Sequence, residues 1–233
     1  MASFSSSASP VEIRCKGVLF DSDGILISSI RAVNRCWTRY CKLRGVDPEQ
    51  ALAIVHGCRA SDTLRRVRPE LKDEAEIARE LKILEDFEVE DLDGVQVLPG
   101  VLELMRGLPA GRWTVVTSAT ERLARVRLTA SGVQAPERMI TSEDVSLGKP
   151  NPDPYLAGAA LLGLRPEDCA VFEDAASGVH AGKAAGCTVV ATTFSHTLEQ
   201  LAEADYRVKD LSGVAVRVLE NGAELALTLT PLG

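Results

Sequence analysis

With 233 residues, of which 45% are apolar and few are aromatic, the chain is long enough for one ordinary domain and a small insertion around a Leu, Val and Ala core. The net charge of −7 is unevenly placed: Glu70 to Asp93 holds eleven acids against three bases, a solvated helix face, and the rest is near neutral. That balance argues against nucleic acid as a partner, since its phosphates call for clustered Lys and Arg, and no apolar run approaches membrane-spanning length.

Residues 1–10 are Ser-rich, with neither a basic start nor an apolar core, and read as a disordered tail rather than a signal peptide. The expected setting is cytoplasmic, with monomer as the default. Cys15, Cys36, Cys41, Cys58, Cys169 and Cys187 show no CxxC or zinc-like spacing, so they are expected to be reduced and mostly buried.

Lys16 to Phe20 is a short apolar run, a buried strand. Ile30, Val33, Trp37 and Cys41 then recur at helical spacing, and Gly45 is placed to end that helix. A short helix is expected over Pro48 to Val55, a loop at His56-Gly57-Cys58-Arg59, and a helix capped by Ser61 that stops before Pro69. Asp73 and Glu76 form a capping-box pattern ahead of Ile77, Leu81 and Leu84. No strand signal lies between Ser29 and Asp93.

From there helices and strands alternate. Helices are expected over Val101 to Leu108, from Leu123 through Val126 to Ala130, from Pro154 to Leu162 and from Ala176 to Ala185. Strands are expected at Trp113 to Thr117, Met139-Ile140, Ala170 to Phe172, Thr188 to Ala191 and Tyr206 to Val208, with a last short helix capped by Thr197 and Gln200. Val214 to Gly233 suggests an edge hairpin through Asn221-Gly222. Alternation of this kind predicts an α/β fold with a parallel sheet covered on both faces. The expected division is a core over 11–28 and 95–233, interrupted by an all-helical insertion over 29–94.

Ligands of such sheets sit beyond the carboxyl ends of the strands. The residues there are Asp21 and Asp23 in Asp21-Ser22-Asp23-Gly24-Ile25-Leu26, then Thr117-Ser118, Thr141-Ser142 and Glu173-Asp174, with Lys149 in the loop after the third strand. Paired carboxylates at a strand mouth repel, and a divalent cation offsets that repulsion while one acid stays free to attack. A calcium loop is excluded, since the twelfth position from Asp21 is Ala32. Nucleophile, acid/base, hydroxyl, cation and metal ligands together make the set that phosphoryl transfer through a carboxylate requires.

The first acid motif, the hydroxyl after the second strand, Lys149 and the acids after the fourth strand resemble the haloacid dehalogenase superfamily. His56-Gly57-Cys58-Arg59, Gly148 to Tyr155, Val171 to Gly178 and Ala181 to Gly186 look like its 2-deoxyglucose-6-phosphate and glycerol-phosphate phosphatase branch, related to β-phosphoglucomutase. The resemblance spans about Glu12 to Leu211 and implies a Rossmann-like core with the helical insertion as a cap. It implies a Mg²⁺-dependent phosphatase of small phosphorylated sugars or polyols, with Asp21 forming an aspartyl-phosphate and Asp23 protonating the leaving oxygen and then activating water. Mg²⁺ would be held by Asp21, the Asp23 carbonyl and Asp174, with Glu173 nearby as ligand or support. Ser118 is favoured over Thr117 as the phosphate hydroxyl, with Ala119 beside it. His56, Gly57 and Arg59 would face the substrate, each with a plain loop or surface role as the competing reading. Trp37 and Tyr40 read as insertion core. A phosphomutase uses the same acids and is the alternative. Ile27-Ser28-Ser29, where many relatives carry an acid, weakens it slightly. A dehalogenase needs neither Asp23 nor a metal.

Overall fold

A computed structural model describes residues 9–219 and 222–232, so most of the expected tail, and Asn221 of the expected turn, lie outside the described residues. In chain order come β1 (Val11–Cys15), β2 (Gly17–Phe20), β3 (Ile27–Ser28), α1 (Ile30–Arg44), α2 (Pro48–Leu52), α3 (Ala60–Val67) and α4 (Glu74–Glu90). After these follow β4 (Gln96–Val97), α5 (Val101–Gly107), β5 (Trp113–Val115), α6 (Glu121–Ala130), α7 (Asp153–Leu161) and β6 (Cys169–Glu173). The chain ends with α8 (Ala176–Ala184), β7 (Thr188–Thr192), β8 (Tyr206–Val208), β9 (Val214–Val218) and β10 (Leu225–Leu229).

Five strands form one parallel sheet in the order β5-β2-β6-β7-β8. β2 sits inside it, and all four of its residues are buried. Its side chains alternate: Val18 and Phe20 join the cluster under α5 and α6, and Leu19 joins the one under α7 and α8. Phe20 stacks on Phe172 of β6 with ring centroids 5.2 Å apart. Burying each such ring contributes about 1.5–3 kcal/mol. Because every strand runs the same way, Asp21, Thr117, Asp174 and Ser195 emerge at one rim.

The helices α1–α4 share an apolar cluster of their own, built on Trp37, Tyr40, Leu64, Ile77 and Leu84. Gly45 ends α1 in the left-handed conformation, as its position suggested. Asp73 caps α4 through the Ala75 amide. The chain enters and leaves these helices through β3 and β4, which pair antiparallel with Ile27 opposite Val97.

Several expectations need correction. An unexpected strand, β1, precedes the expected one: it ends at Cys15, and the Lys16 amide donates to Asp168 O at 2.7 Å before β2 begins at Gly17. The C-terminal hairpin does not edge the parallel sheet; β10 pairs with β1 on one side and β9 on the other in a separate antiparallel sheet. Arg59, not Ser61, occupies the cap position of α3. α6 buries Leu123, Ala124, Arg127 and Leu128, whereas Val126 is half-buried and Ala130 exposed. Met139-Ile140 supplies a single bridge to Val116. Thr197 and Gln200 do bond reciprocally, but only turns follow, since one turn of chain cannot offset the cost of helix nucleation. The cysteines are free thiols, all buried but the half-buried Cys58, and burial pushes Cys15 and Cys187 up to about 12. Among the described residues, no helix is long and apolar enough to cross a membrane.

Candidate active site

The rim of the sheet gathers four ionisable side chains with almost no solvent. Asp21 is 7% exposed, Glu173 1%, Asp174 4% and Lys149 4%. The Lys149 ammonium donates to Asp21 Oδ1 at 2.6 Å, to Glu173 Oε1 at 2.7 Å and to the Val116 carbonyl at 3.1 Å. All three of its protons are therefore placed. The loop that carries it has a cis Lys149–Pro150 peptide and leads directly into α7.

Glu173 is saturated. Tyr155, from α7, donates its hydroxyl to Oε1 at 2.8 Å, and Oε2 accepts the amides of Asp174 and Ala175 at 2.8 and 3.1 Å. Gly178 makes room for this carboxylate: a Cβ there would overlap it. Gly24 does the same for Asp174, with φ +98 to turn the chain after Asp23. Asp174 does not cap α8, whose cap position is Ala175 without a side-chain bond.

One oxygen from each of Asp21, Glu173 and Asp174 lies within 4.8 Å of the others. Three buried carboxylates against one ammonium leave excess negative charge. Burial pushes the Asp21 carboxyl up to about 7 against the pull of Lys149, with Glu173 and Asp23 adding to the rise. Asp174 is held well above the usual range by burial and by the charges of Glu173 and Asp21. The cluster fits a divalent cation, which would remove that repulsion. Asp21 and Asp174 are the carboxylates suited to hold it, because the four bonds at Glu173 suit support rather than ligation.

The carboxylate of Asp23 lies outside this cluster. Its Oδ1 accepts from the Ser29 hydroxyl and from Arg127 Nη1, the latter at 3.1 Å. Arg127 in turn donates through Nη2 to Glu88 Oε1, also at 3.1 Å. Thr117 and Ser118 separate as well. The Thr117 hydroxyl accepts the Ala119 amide at 3.1 Å, which also commits that amide, while the Ser118 hydroxyl has no partner among the described residues and lines the cavity.

That cavity encloses about 90 Å³ between the rim and the helices α1–α4. Its walls include Asp21, Asp23, Ser118, Asp174, His56 and Gly57. His56 bonds Asn34 at 3.1 Å, and burial lowers its pKa. The Gly57 carbonyl accepts the Ser177 hydroxyl at 3.2 Å, joining the loop before α3 to the start of α8. Arg59 stands apart: it packs over Gly148 and lines a neighbouring cavity of about 260 Å³ with Ser118 and Ser142. Trp37 is 1% exposed and belongs to the helical core, yet it reaches the cavity wall too.

The family model described as haloacid dehalogenase-like hydrolase matches residues 18–192. The chain belongs to that family. Within the haloacid dehalogenase-like hydrolases it is 42% identical over 215 residues to hexitol phosphatase A of Escherichia coli (strain K12), covering 90% of this chain and 98% of that protein. It is 33% identical over 227 residues to glycerol-1-phosphate phosphohydrolase 1 of Saccharomyces cerevisiae, covering 92% of this chain and 89% of that one. Among solved structures, β-phosphoglucomutase of Clostridium difficile superposes with a TM-score of 0.74 at 20% identity, over 85% of this chain and 92% of that one, a likeness of fold.

Sequence reasoning missed Arg127, Glu88, Tyr155, Ser29 and Ser195. A signal for two of them was present. Arg127 falls four residues after Leu123, and Glu88 four after Leu84, so each is a charge on an apolar helix face. Ser195 is fixed only by tertiary structure: its hydroxyl donates to the Asp174 carbonyl at 2.9 Å.

Proposed function

We propose that this chain is a Mg²⁺-dependent phosphatase that hydrolyses phosphate monoesters of small sugars or polyols. The observation that carries the reading is Lys149 held between Asp21 and Glu173 with Asp174 alongside, in a chain whose full-length relatives are named phosphatases of a hexitol and of glycerol 1-phosphate. The cytoplasmic, monomeric setting and a small phosphorylated metabolite as partner belong to the same proposal.

In this scheme a carboxylate oxygen of Asp21 attacks phosphorus, and the bond from phosphorus to the alcohol oxygen breaks. Asp23 gives its proton to that oxygen. It then takes a proton from water, which attacks the acyl phosphate, freeing phosphate and restoring Asp21. The unpartnered Ser118 hydroxyl holds a phosphoryl oxygen, while the Lys149 ammonium, its three protons committed, holds Asp21 in place and sets positive charge beside the phosphoryl group. A cation held by Asp21, Asp174 and the Asp23 carbonyl would neutralise charge on the phosphoryl group. Residues 29–94 serve as a cap over a core of 11–28 and 95–233. The cap is tied down where Thr120 and Arg122 of the core meet Glu85 of α4 and where Ser177 meets Gly57. Seated in this way, it excludes water from the acyl phosphate until it opens.

Phosphate release from p-nitrophenyl phosphate and from a panel of sugar and polyol phosphates tests the reading. Turnover should require Mg²⁺, stop with chelator, and fall by about 10⁴-fold or more in Asp21→Asn. Turnover that persists in Asp21→Asn would overturn it.

A further inference from the structure

Glu88 is out of place on a helix face whose other members are Ile77 and Leu84, and it is only 6% exposed. Its Oε1 is bonded to Arg127, but its Oε2 accepts no hydrogen bond among the described residues. The residue is buried, yet this oxygen is left to whatever occupies the cavities that Glu88 lines. Glu88 lines both the cavity above Asp21 and the neighbouring one, which share Ala60, Glu88, Ser118, Ala119 and Leu123 as walls. The other polar side chains that the helical unit brings to the first cavity are mostly spoken for. Ser29 is bonded to Asp23 and His56 to Asn34, while Val33, Trp37 and Val55 are apolar. Arg127 is buried and fixed at both ends, so it holds Glu88 at a set reach from the oxygen of Asp23.

We infer that Glu88 is a specificity-determining residue whose free carboxylate oxygen accepts a hydrogen bond from a hydroxyl of the alcohol half of the substrate. The inference rests on the phosphatase reading and narrows it. The leaving alcohol must carry a hydroxyl beyond the ester oxygen, so polyhydroxylated esters are selected over plain alkyl phosphates of the same length. Where a site is built to bond a hydroxyl, an analogue without it strands the site's own group, and discrimination is large. Arg127 acts as a positioning residue, turning the Glu88 carboxylate and opposing the rise that burial imposes on its pKa.

The test compares kcat/KM for glycerol 1-phosphate and propyl phosphate, with Mg²⁺, in the full chain and in its Glu88→Met and Glu88→Gln variants. A hydrogen bond to a charged acceptor corresponds to a preference of about 10- to 100-fold for the glycerol ester in the wild type. Glu88→Met, which keeps length and helix propensity but has no carboxylate, should bring the ratio down to about threefold or less. Glu88→Gln retains a neutral acceptor in nearly the same shape and should fall between, a check that does not depend on how well the Met variant packs. A ratio unchanged in both variants while the two constants fall together would show that Glu88 only seats α4, and would overturn the inference. Equal use of the two esters by the wild type would overturn it alone, with the phosphatase reading intact. No phosphate from either ester or from p-nitrophenyl phosphate would overturn both.

Discussion

Lys149 and Arg127 are both buried cations held between two carboxylates, yet the two groups are built differently. Lys149 joins Asp21 and Glu173, and Glu173 is closed off by Tyr155 and two backbone amides. Arg127 joins Asp23 and Glu88 across the junction between core and helical unit, and each of those acids keeps its other oxygen unbonded among the described residues. The first group is saturated on its structural side and holds Asp21, the proposed nucleophile, in place. The second leaves acceptors facing the cavity, Asp23, proposed to move a proton, and Glu88, proposed to read a hydroxyl. Saturation therefore marks support, and an open oxygen marks chemistry.

Removing each cation separates the two designs. Lys149→Met leaves the buried carboxylates of Asp21, Glu173 and Asp174 together with no cation among them, so the unfolding free energy should fall by about 3–5 kcal/mol together with turnover. Arg127→Met should cost less, about 2–4 kcal/mol: buried Glu88 loses its one hydrogen bond, but Asp23 retains Ser29 and a side chain that is 27% exposed. Denaturant titration of both variants checks the order; equal losses would erase the distinction. The smallest effect belongs to Arg122, whose ion pairs to Glu85 and Asp86 lie at the surface with its own side chain 49% exposed. Arg122→Ala should change stability by about 1 kcal/mol or less. A larger loss would mean that this contact, rather than the buried Arg127 pair, seats α4 on the core.

The same contrast explains what was legible in the sequence. Asp21, Asp23, Lys149, Glu173 and Asp174 follow strands or stand beside glycines and prolines, so their chemistry is written into short local patterns. The parallel sheet was readable for the same reason, as each strand is a short apolar run between turn residues. Glu88 and Arg127 are 39 positions apart and meet only because α4 lies on α6. No local pattern encodes that meeting; the only trace is a charge at a core-facing position. β1 was passed over although Val11, Ile13 and Cys15 alternate with Glu12 and Arg14, because its partner β10 lies at the far end of the chain. Thr197 and Gln200 failed in the opposite way: the local signal is real and its bonds form, but too few residues follow to propagate a helix.

The central claim is that phosphate passes through a covalent acyl phosphate on Asp21. Turnover quenched in acid and reduced with borohydride, followed by peptide mass analysis, tests it most directly. The account predicts that reduction converts position 21 alone, in a substrate-dependent manner, and that Asp21→Asn gives no conversion. Steady phosphate release with the reduced residue at any other position, or with none reduced, would contradict it.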